Sequence, residues 1–339
     1  MNSNPRIENV GEIRLIKLIK ELVLKKTGKG MISDDAFFFK LKEEYSDHIM
    51  ILNSDMLVST TDVPSQMSFY QIGRKSVIMN VSDLIVKSVK PKGIIISLGL
   101  PILLRKKNFI EVITGIIDCC IEFDLEYIGG DINETKELII NPTVFGFKNS
   151  SGILYRKGIK SGDILVANKK FGLTGVGFDI LLNKKSDYMN FESYKRSIRS
   201  VLEPEISGVE ALILSEKKFA VSSIDSSDGL SKSLRDLMAS NPNLGFEIYF
   251  NEDLIDSEAF QYNGDYDIPL EDIVLNGGEE YIHLFVINPK DFNEAQKEIQ
   301  ARGGQIFKIG KVIPKEKIYI LKEGKVSVLK NYGFEHFSK

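Results

Sequence analysis

At 339 residues the chain is long enough for two domains of ordinary size, each with its own core. Its 43% hydrophobic and 27% charged residues are the composition of a soluble globular protein, and a net charge of −3 gives no basic footprint, which disfavours nucleic acid as a partner. No apolar run approaches the roughly eighteen residues of a membrane span and Met1–Pro5 lacks a signal peptide's apolar core, so the expected setting is the cytoplasm, with no membrane partner.

In chain order, Ile13, Ile16, Leu18, Ile19, Leu22 and Val23 predict an amphipathic helix over 7–26, ended by Thr27-Gly-Lys-Gly30. That glycine pair lacks the spacing and the preceding strand of a phosphate loop and reads as a helix terminator. Ala36–Leu41 and His48–Leu52 predict a hairpin, whose pairing would bring Asp34, Asp35 and Asp55 to one end of the sheet. A buried helix is expected within 68–89, with Asp83 in it either as a solvated or capping carboxylate or as a metal ligand. Gly93–Leu100 predicts a strand and Arg105–Phe123 a helix whose Cys119 and Cys120 diverge too far for a disulfide, leaving them as reduced core residues.

Glu126–Ile128 predicts a short strand running into Gly129-Gly130-Asp131. Such a run is either a strand-to-loop turn or a place where backbone amides approach phosphate while Asp131 ligates a cation. The next strand, Glu137–Phe147, contains Pro142 and is expected at an edge or bulged. Lys148–Gly152 is the candidate border between domains 1–150 and 151–339.

Beyond it, Ile164–Ala167 is a strand, and Phe171–Gly177 leads into a helix; its glycines fit either phosphate binding or close helix packing. An exposed loop is expected over 183–194, then helices over 194–201 and 205–218. A strand at 220–224 ends at Asp225, followed by a helix from about Asp228 with Ser227 or Asp228 as its cap; both aspartates also suit one cation. A strand at 245–250, the segment 271–286 carrying Gly277-Gly278-Glu279-Glu280, a helix at 289–301 and strands at 306–312 and 318–321 complete the pattern. The aromatic Tyr332–Phe337 either docks as a latch or lines a pocket. Strands and helices alternate in both halves, so the fold class is α/β (α+β) in two domains.

Carboxylates thus recur at the borders of apolar segments: Asp34 and Asp35, Asp55 after Asn53 and Ser54, Asp83, Asp131, Asp225 and Asp228, Glu279 and Glu280. If they converge, their charges need protons or cations, and magnesium suits scattered oxygen donors that share it with phosphates and water.

These motifs, in order and nearly end to end, resemble the thiamine-monophosphate kinases of the aminoimidazole ribonucleotide (AIR) synthetase superfamily. They are Ser33–Ala36, Ser54–Val58, Asn80–Asp83, Ser97–Pro101, Gly129–Asp131, Lys160–Asp163, Ile224–Gly229, Gly277–Glu279, Ile309–Val312 and Gly333–Phe337. The terminal aromatic motif points to the thiamine kinases, and Thr61–Pro64 with Gln71–Gly73 to their archaeal branch. The resemblance implies an AIR-synthetase-like fold: an N-terminal mixed sheet that pairs with a second subunit into a barrel, and a C-terminal α/β domain completing a cleft for ATP and several magnesium ions.

Carried over residue by residue, Asp35, Asn53, Ser54, Asp55, Asp83, Asp131, Asp225 and Asp228 would hold magnesium. Asp83 and Asp225 would be catalytic, Gly130, Asp131, Arg156 and Ser227 would serve ATP, and Asp62, Glu279 and Phe334 the substrate. An aromatic face and a carboxylate suit a cationic thiazolium. Three departures fall on or near the substrate side: Asp62 replaces a His, and Glu280 and His283 replace Asp and Glu. The expected activity is ATP-dependent phosphorylation of thiamine monophosphate to the diphosphate by a homodimer. The alternatives are another ATP-dependent ligase or cyclase of the superfamily and a catalytically silent nucleotide-binding paralogue.

Overall fold

Two sheets organise the chain. A computed structural model describes residues 12–30, 47–183 and 191–329 together with Arg6 and Val10, and divides into two units, 1–84 with 89–150 and 85–88 with 151–339. Among the described residues no helix is long and apolar enough to cross a membrane.

The first unit begins with helix α1 (Glu12–Thr27), closed by Gly28 at φ 71° as the terminator reading requires. Strands β1 (His48–Asn53) and β2 (Leu57–Val58) follow, then the short α2 (Ser59–Asp62) and the long α3 (Phe69–Val86). Next come β3 (Pro91–Pro101), α4 (Lys106–Glu122), β4 (Glu126–Thr135) and β5 (Ile139–Asn149). The sheet order is β1-β5-β3-β4, with β2 continuing alongside β5 where β1 stops. Only β3 and β4 pair in parallel, and α4 makes the crossover between them.

Glycine sets how closely α3 and α4 cross. A Cβ on Gly73 would lie 2.1 Å from the Val112 carbonyl oxygen, and one on Gly115 2.0 Å from that of Tyr70, so the two backbones touch. Cys119 and Cys120 are buried free thiols on α4, and burial raises both pKa values, that of Cys119 to about 12.

The strand expected at 36–41, and with it the hairpin to 48–52, lies outside the described residues; one other expectation changes. Strand β5 is internal rather than at an edge; Pro142 is tolerated because it falls opposite the break between β1, whose pairing ends at Val144, and β2, whose pairing starts at Ile140.

The second unit is built on β6 (Ile164–Ala167), α5 (Leu173–Phe178), α6 (Lys195–Leu202), α7 (Val209–Glu216), β7 (Ala220–Ser226) and α8 (Leu230–Ser240). It continues with β8 (Gly245–Tyr249), α9 (Ser257–Tyr266), α10 (Leu270–Asn276), β9 (Ile282–Ile287), α11 (Phe292–Ala301), β10 (Phe307–Ile313), β11 (Ile318–Lys322) and β12 (Lys325–Val328). The sheet order is β12-β11-β8-β10-β6-β9-β7. Its centre is covered on both faces: Leu165, Ala167, Leu284 and Val286 enter one core with α5, α8, α9 and α10, while Ile164, Val166, Phe285 and Ile287 enter another with α7 and α11. That is why β6 reads as an unbroken apolar run, and β9 as one broken at His283, instead of alternating.

Residues 184–190 of the expected loop lie outside the described residues, but Tyr194 at its end is buried, its hydroxyl hydrogen-bonded to Asp265. Helix α9 escaped the sequence reading because its core, Gln-Tyr-Asn-Gly-Asp, is polar; Asp256 starts it by accepting the Glu258 N–H at 2.9 Å.

Candidate active site

Helix and strand bring two carboxylates of the first unit together. Asp55 follows β1 and Asp83 sits on α3, and both accept hydrogen bonds from the Nδ2 of Asn53, at 2.9 and 2.8 Å. One amide therefore separates two half-buried negative charges. Asn80, fully buried and one helical turn before Asp83, fixes the Asp55 backbone: its Oδ1 accepts the Asp55 N–H at 2.8 Å and its Nδ2 donates to the Asp55 carbonyl at 3.0 Å. Asn80 was legible only as part of a motif, and its clamp on Asp55 is a contact between residues 25 apart in sequence.

A polar row crosses the same sheet. Asp131 on β4 is in register with Ser97 on β3, which is in register with Asn141 on β5; Asn141 Oδ1 in turn accepts from the Ser54 hydroxyl at 3.3 Å. Two strand spacings put Asp131 roughly 10 Å from Asn141. Accordingly, among the described residues no three His, Cys, Asp or Glu side chains close around one point. Asp55 and Asp83 form a pair, and Asp131 stands across the sheet from the contact of Ser54 with Asn141.

The glycines beside Asp131 divide the work. The expected short strand runs on through them as β4, with a bulge at Ile128. A Cβ on Gly130 would sit 1.8 Å from the Ile96 carbonyl oxygen, so the sheet itself demands glycine there; nothing lies within 4 Å of the equivalent point on Gly129, which leaves open space over the backbone. Asp62, expected to meet substrate, spends one carboxylate oxygen on the Val58 N–H at 2.7 Å and thereby holds the turn of α2. Asp35 and Phe334 lie outside the described residues.

In the second unit Asp225 falls inside β7, not at its end, and is directly opposite His283 on β9. His283 is fully buried, and loss of water, with Lys169 and Lys87 adding to it, pushes its pKa down to about 3, so a neutral ring stands opposite Asp225. Ser227 and Asp228 form the turn into α8, but neither caps it: the N-cap is Gly229 at φ 91°, and no side chain takes the cap hydrogen bond. Asp228 is left half-buried and Ser227 exposed.

The Gly277–Tyr281 segment packs on that turn through Glu279 N–H to Ser227 O and Tyr281 N–H to Ser226 O. Glu279 and Tyr281 both adopt positive φ, 58° and 46°, a strained backbone of the kind found at functional sites. Arg156 is exposed; its carbonyl accepts from Asn241 Nδ2 at 2.7 Å while Gly158 N–H donates to Asn241 Oδ1 at 3.0 Å, which seats this segment against the C-terminal end of α8. The glycines of Phe171–Gly177 resolve as packing: Cβ atoms on Gly175 and Gly177 would meet the Ile273 and Ser197 carbonyl oxygens at 2.3 and 2.2 Å.

Glu280 turns away from Glu279 into the interior. Its Oε1 accepts the Gly172 N–H at 2.7 Å, its Oε2 is buried without a hydrogen-bond partner, and burial raises its pKa to about 8.

Comparison with known proteins places this geometry. Residues 33–147 match the family described as AIR synthase related protein, N-terminal domain. The thiamine-monophosphate kinase of Nitrosopumilus maritimus is 33% identical over 98% of this chain and all of its own length. Among solved structures, AaThiL complexed with AMPPCP and TMP aligns with a TM-score of 0.75 at 25% identity, covering 98% of this chain and 99% of that one. HypE, a hydrogenase maturation protein of E. coli, shares the fold with a TM-score of 0.75 at 15% identity over 93% of this chain and 97% of its own. At that identity over nearly its whole length, the chain belongs to the thiamine-monophosphate kinase family.

Proposed function

We propose that the chain phosphorylates thiamine monophosphate to thiamine diphosphate with ATP. The observation that carries the reading is the Asn53-bridged pair of Asp55 and Asp83, an all-oxygen donor set seated in a chain of this family. The transfer is in line: an oxygen of the substrate phosphate attacks the γ-phosphorus, the bond to the β-bridging oxygen breaks, and ADP leaves. A phosphate nucleophile is already ionised at neutral pH, so the site needs positioning and charge neutralisation rather than a strong base.

The donors fit magnesium, which would be held by Asp55, Asp83, Asp131, Asp225 and Asp228 with Asn53 and Ser54, and by Asp35; when bound it neutralises the phosphates and the developing charge. The open backbone over Gly129, with Gly130 beside it, receives phosphate, Arg156 and Ser227 hold ATP, and Glu279, Asp62 and Phe334 serve the substrate. The strained Glu279 is fixed by its neighbours before substrate arrives, which favours orientation over adaptation. The enzyme acts in the cytoplasm, as a homodimer. Met50 and Leu52, exposed by 48% and 58% on alternate positions of β1, supply an apolar strip for pairing the N-terminal sheets.

The test is purified protein with ATP, magnesium and thiamine monophosphate, following ADP and thiamine diphosphate together. Equal, EDTA-sensitive formation of both is expected, and Asp83→Asn or Asp225→Asn should each cut the rate by at least about a hundredfold with the melting temperature kept within a few degrees. A variant at full rate removes that residue from the mechanism. ADP without thiamine diphosphate would move the assignment to another superfamily reaction, and neither product to a silent paralogue.

A further inference from the structure

The segment that carries Glu279 is gripped from two sides. On one, the carbonyls of Ser227 and Ser226 at the end of β7 accept the N–H groups of Glu279 and Tyr281. On the other stands the start of α5. There Thr174 Oγ1 donates to the Gly278 carbonyl at 2.7 Å, and Gly172 N–H donates to Glu280 Oε1 at 2.7 Å, so the residues before and after Glu279 are both tied to one turn. Close backbone approach completes the grip: a Cβ on Gly277 would lie 2.8 Å from the Ile273 carbonyl oxygen and 3.1 Å from the Gly175 nitrogen.

The grip works against a local preference. Glu279, at φ 58°, occupies the left-handed region that glycine adopts at little cost and glutamate does not. Such a residue persists only where its surroundings over-determine the backbone. The Gly278 carbonyl and the Glu279 N–H belong to one planar peptide unit, and both ends of it are used, the first by Thr174 and the second by Ser227. Fixing that plane fixes the φ of Glu279. Thr174 does so with a side chain that is 2% exposed, so water does not compete for the hydroxyl.

We propose that Thr174 is a positioning residue for the substrate: by fixing the peptide plane that enters Glu279, it holds that carboxylate where the cationic ring of thiamine monophosphate meets it. This role rests on Glu279 serving the substrate, as proposed above, and it gives the Phe171–Gly177 turn the task of supporting the acceptor side instead of binding phosphate.

The test is steady-state kinetics of the full chain with thiamine monophosphate and ATP varied separately. Glu279 meets a part of the substrate remote from the reacting phosphate, so displacing it costs binding and spares the chemical step. Thr174→Val removes the hydroxyl and should raise KM for thiamine monophosphate roughly three- to tenfold, the range for one lost hydrogen bond, with kcat and KM for ATP kept within about twofold. Thr174→Ser should restore the original KM. Glu279→Gln should raise the same KM, and adding Thr174→Val to it should raise it little further, because the group being positioned has gone. With Glu279→Gln raising KM, the role of Thr174 is overturned by an unchanged KM in Thr174→Val, by a rise that Thr174→Ser shares, by an equal rise for ATP, or by fully additive effects in the double variant. An unchanged KM in Glu279→Gln would instead refute the substrate role of Glu279 and remove that of Thr174 with it. Should Thr174→Val not fold, Thr174→Ala reads the same loss of the hydroxyl.

Discussion

Glu280→Gln offers a direct measurement of what burial does to one carboxyl. The group is raised from an ordinary 4.5 to about 8, chiefly by loss of water, with the Gly172 and Thr174 hydrogen bonds opposing the rise. In the unfolded chain it ionises near 4.5; in the folded chain it keeps its proton until about pH 8. Stability is therefore full below about pH 4.5, falls as pH rises towards 8, and is level above it, because throughout that window the folded state binds the extra proton. At roughly 1.4 kcal/mol per pH unit the whole span is worth about 5 kcal/mol, an upper figure because local relaxation and water entry reduce it. Glutamine keeps the amide-accepting oxygen and has no charge to lose. Urea denaturation of both proteins should give similar midpoints at pH 4.5, with the variant more stable by a few kcal/mol at pH 8.5. Curves that run parallel between those two pH values would refute the buried, proton-holding carboxyl.

Gly130→Ala should destabilise the first unit by at least about 2–3 kcal/mol in chemical denaturation, since its Cβ would stand 1.8 Å from a backbone oxygen of β3 that cannot swing aside. Asn53→Ala removes the donor shared by Asp55 and Asp83 and should cost about 1–3 kcal/mol at pH 7, with millimolar magnesium restoring part of the loss; no loss, or no response to magnesium, would count against a shared cation at that pair. Cys119 and Cys120, buried and with thiol pKa values pushed up, should resist a thiol reagent in the native protein and react fully in denaturant; rapid native labelling would contradict their place on α4.

Local periodicity carried most of the fold. Helices α3 and α4 and strands β3 and β6 emerge near their expected limits because each buries a continuous face that its residues announce. What sequence left open was decided by contacts distant along the chain. Pro142 reads as an edge or bulge signal, yet β5 is internal, because the compensating break lies between β1 and β2, nearly ninety residues earlier. The glycines at Phe171–Gly177 fit phosphate or packing equally until the Ile273 and Ser197 carbonyls are seen against them. Ser227 and Asp228 look like caps because their types favour caps, but the turn hands that position to Gly229.

The same contrast separates the candidate site from its supports. Carboxylates announce themselves at the borders of apolar segments, so Asp55, Asp83, Asp131 and Asp225 were legible from type and position alone. The amides that hold them were not: Asn80 clamps the Asp55 backbone, and Asn241 seats the segment carrying Arg156. Asparagine is common in turns for reasons of its own, so only the fold shows which one supplies both a donor and an acceptor to a functional segment. Glu280 is the converse case. It looks like one more member of an acidic set, but its neighbour Glu279, at positive φ, turns the chain on the Ser226–Ser227 backbone and Glu280 enters the interior, where its charge is suppressed. Two adjacent glutamates thus end in different surroundings, Glu279 half-buried on the Ser226–Ser227 turn and Glu280 enclosed where burial keeps its proton, from a local backbone geometry that residue type alone does not specify.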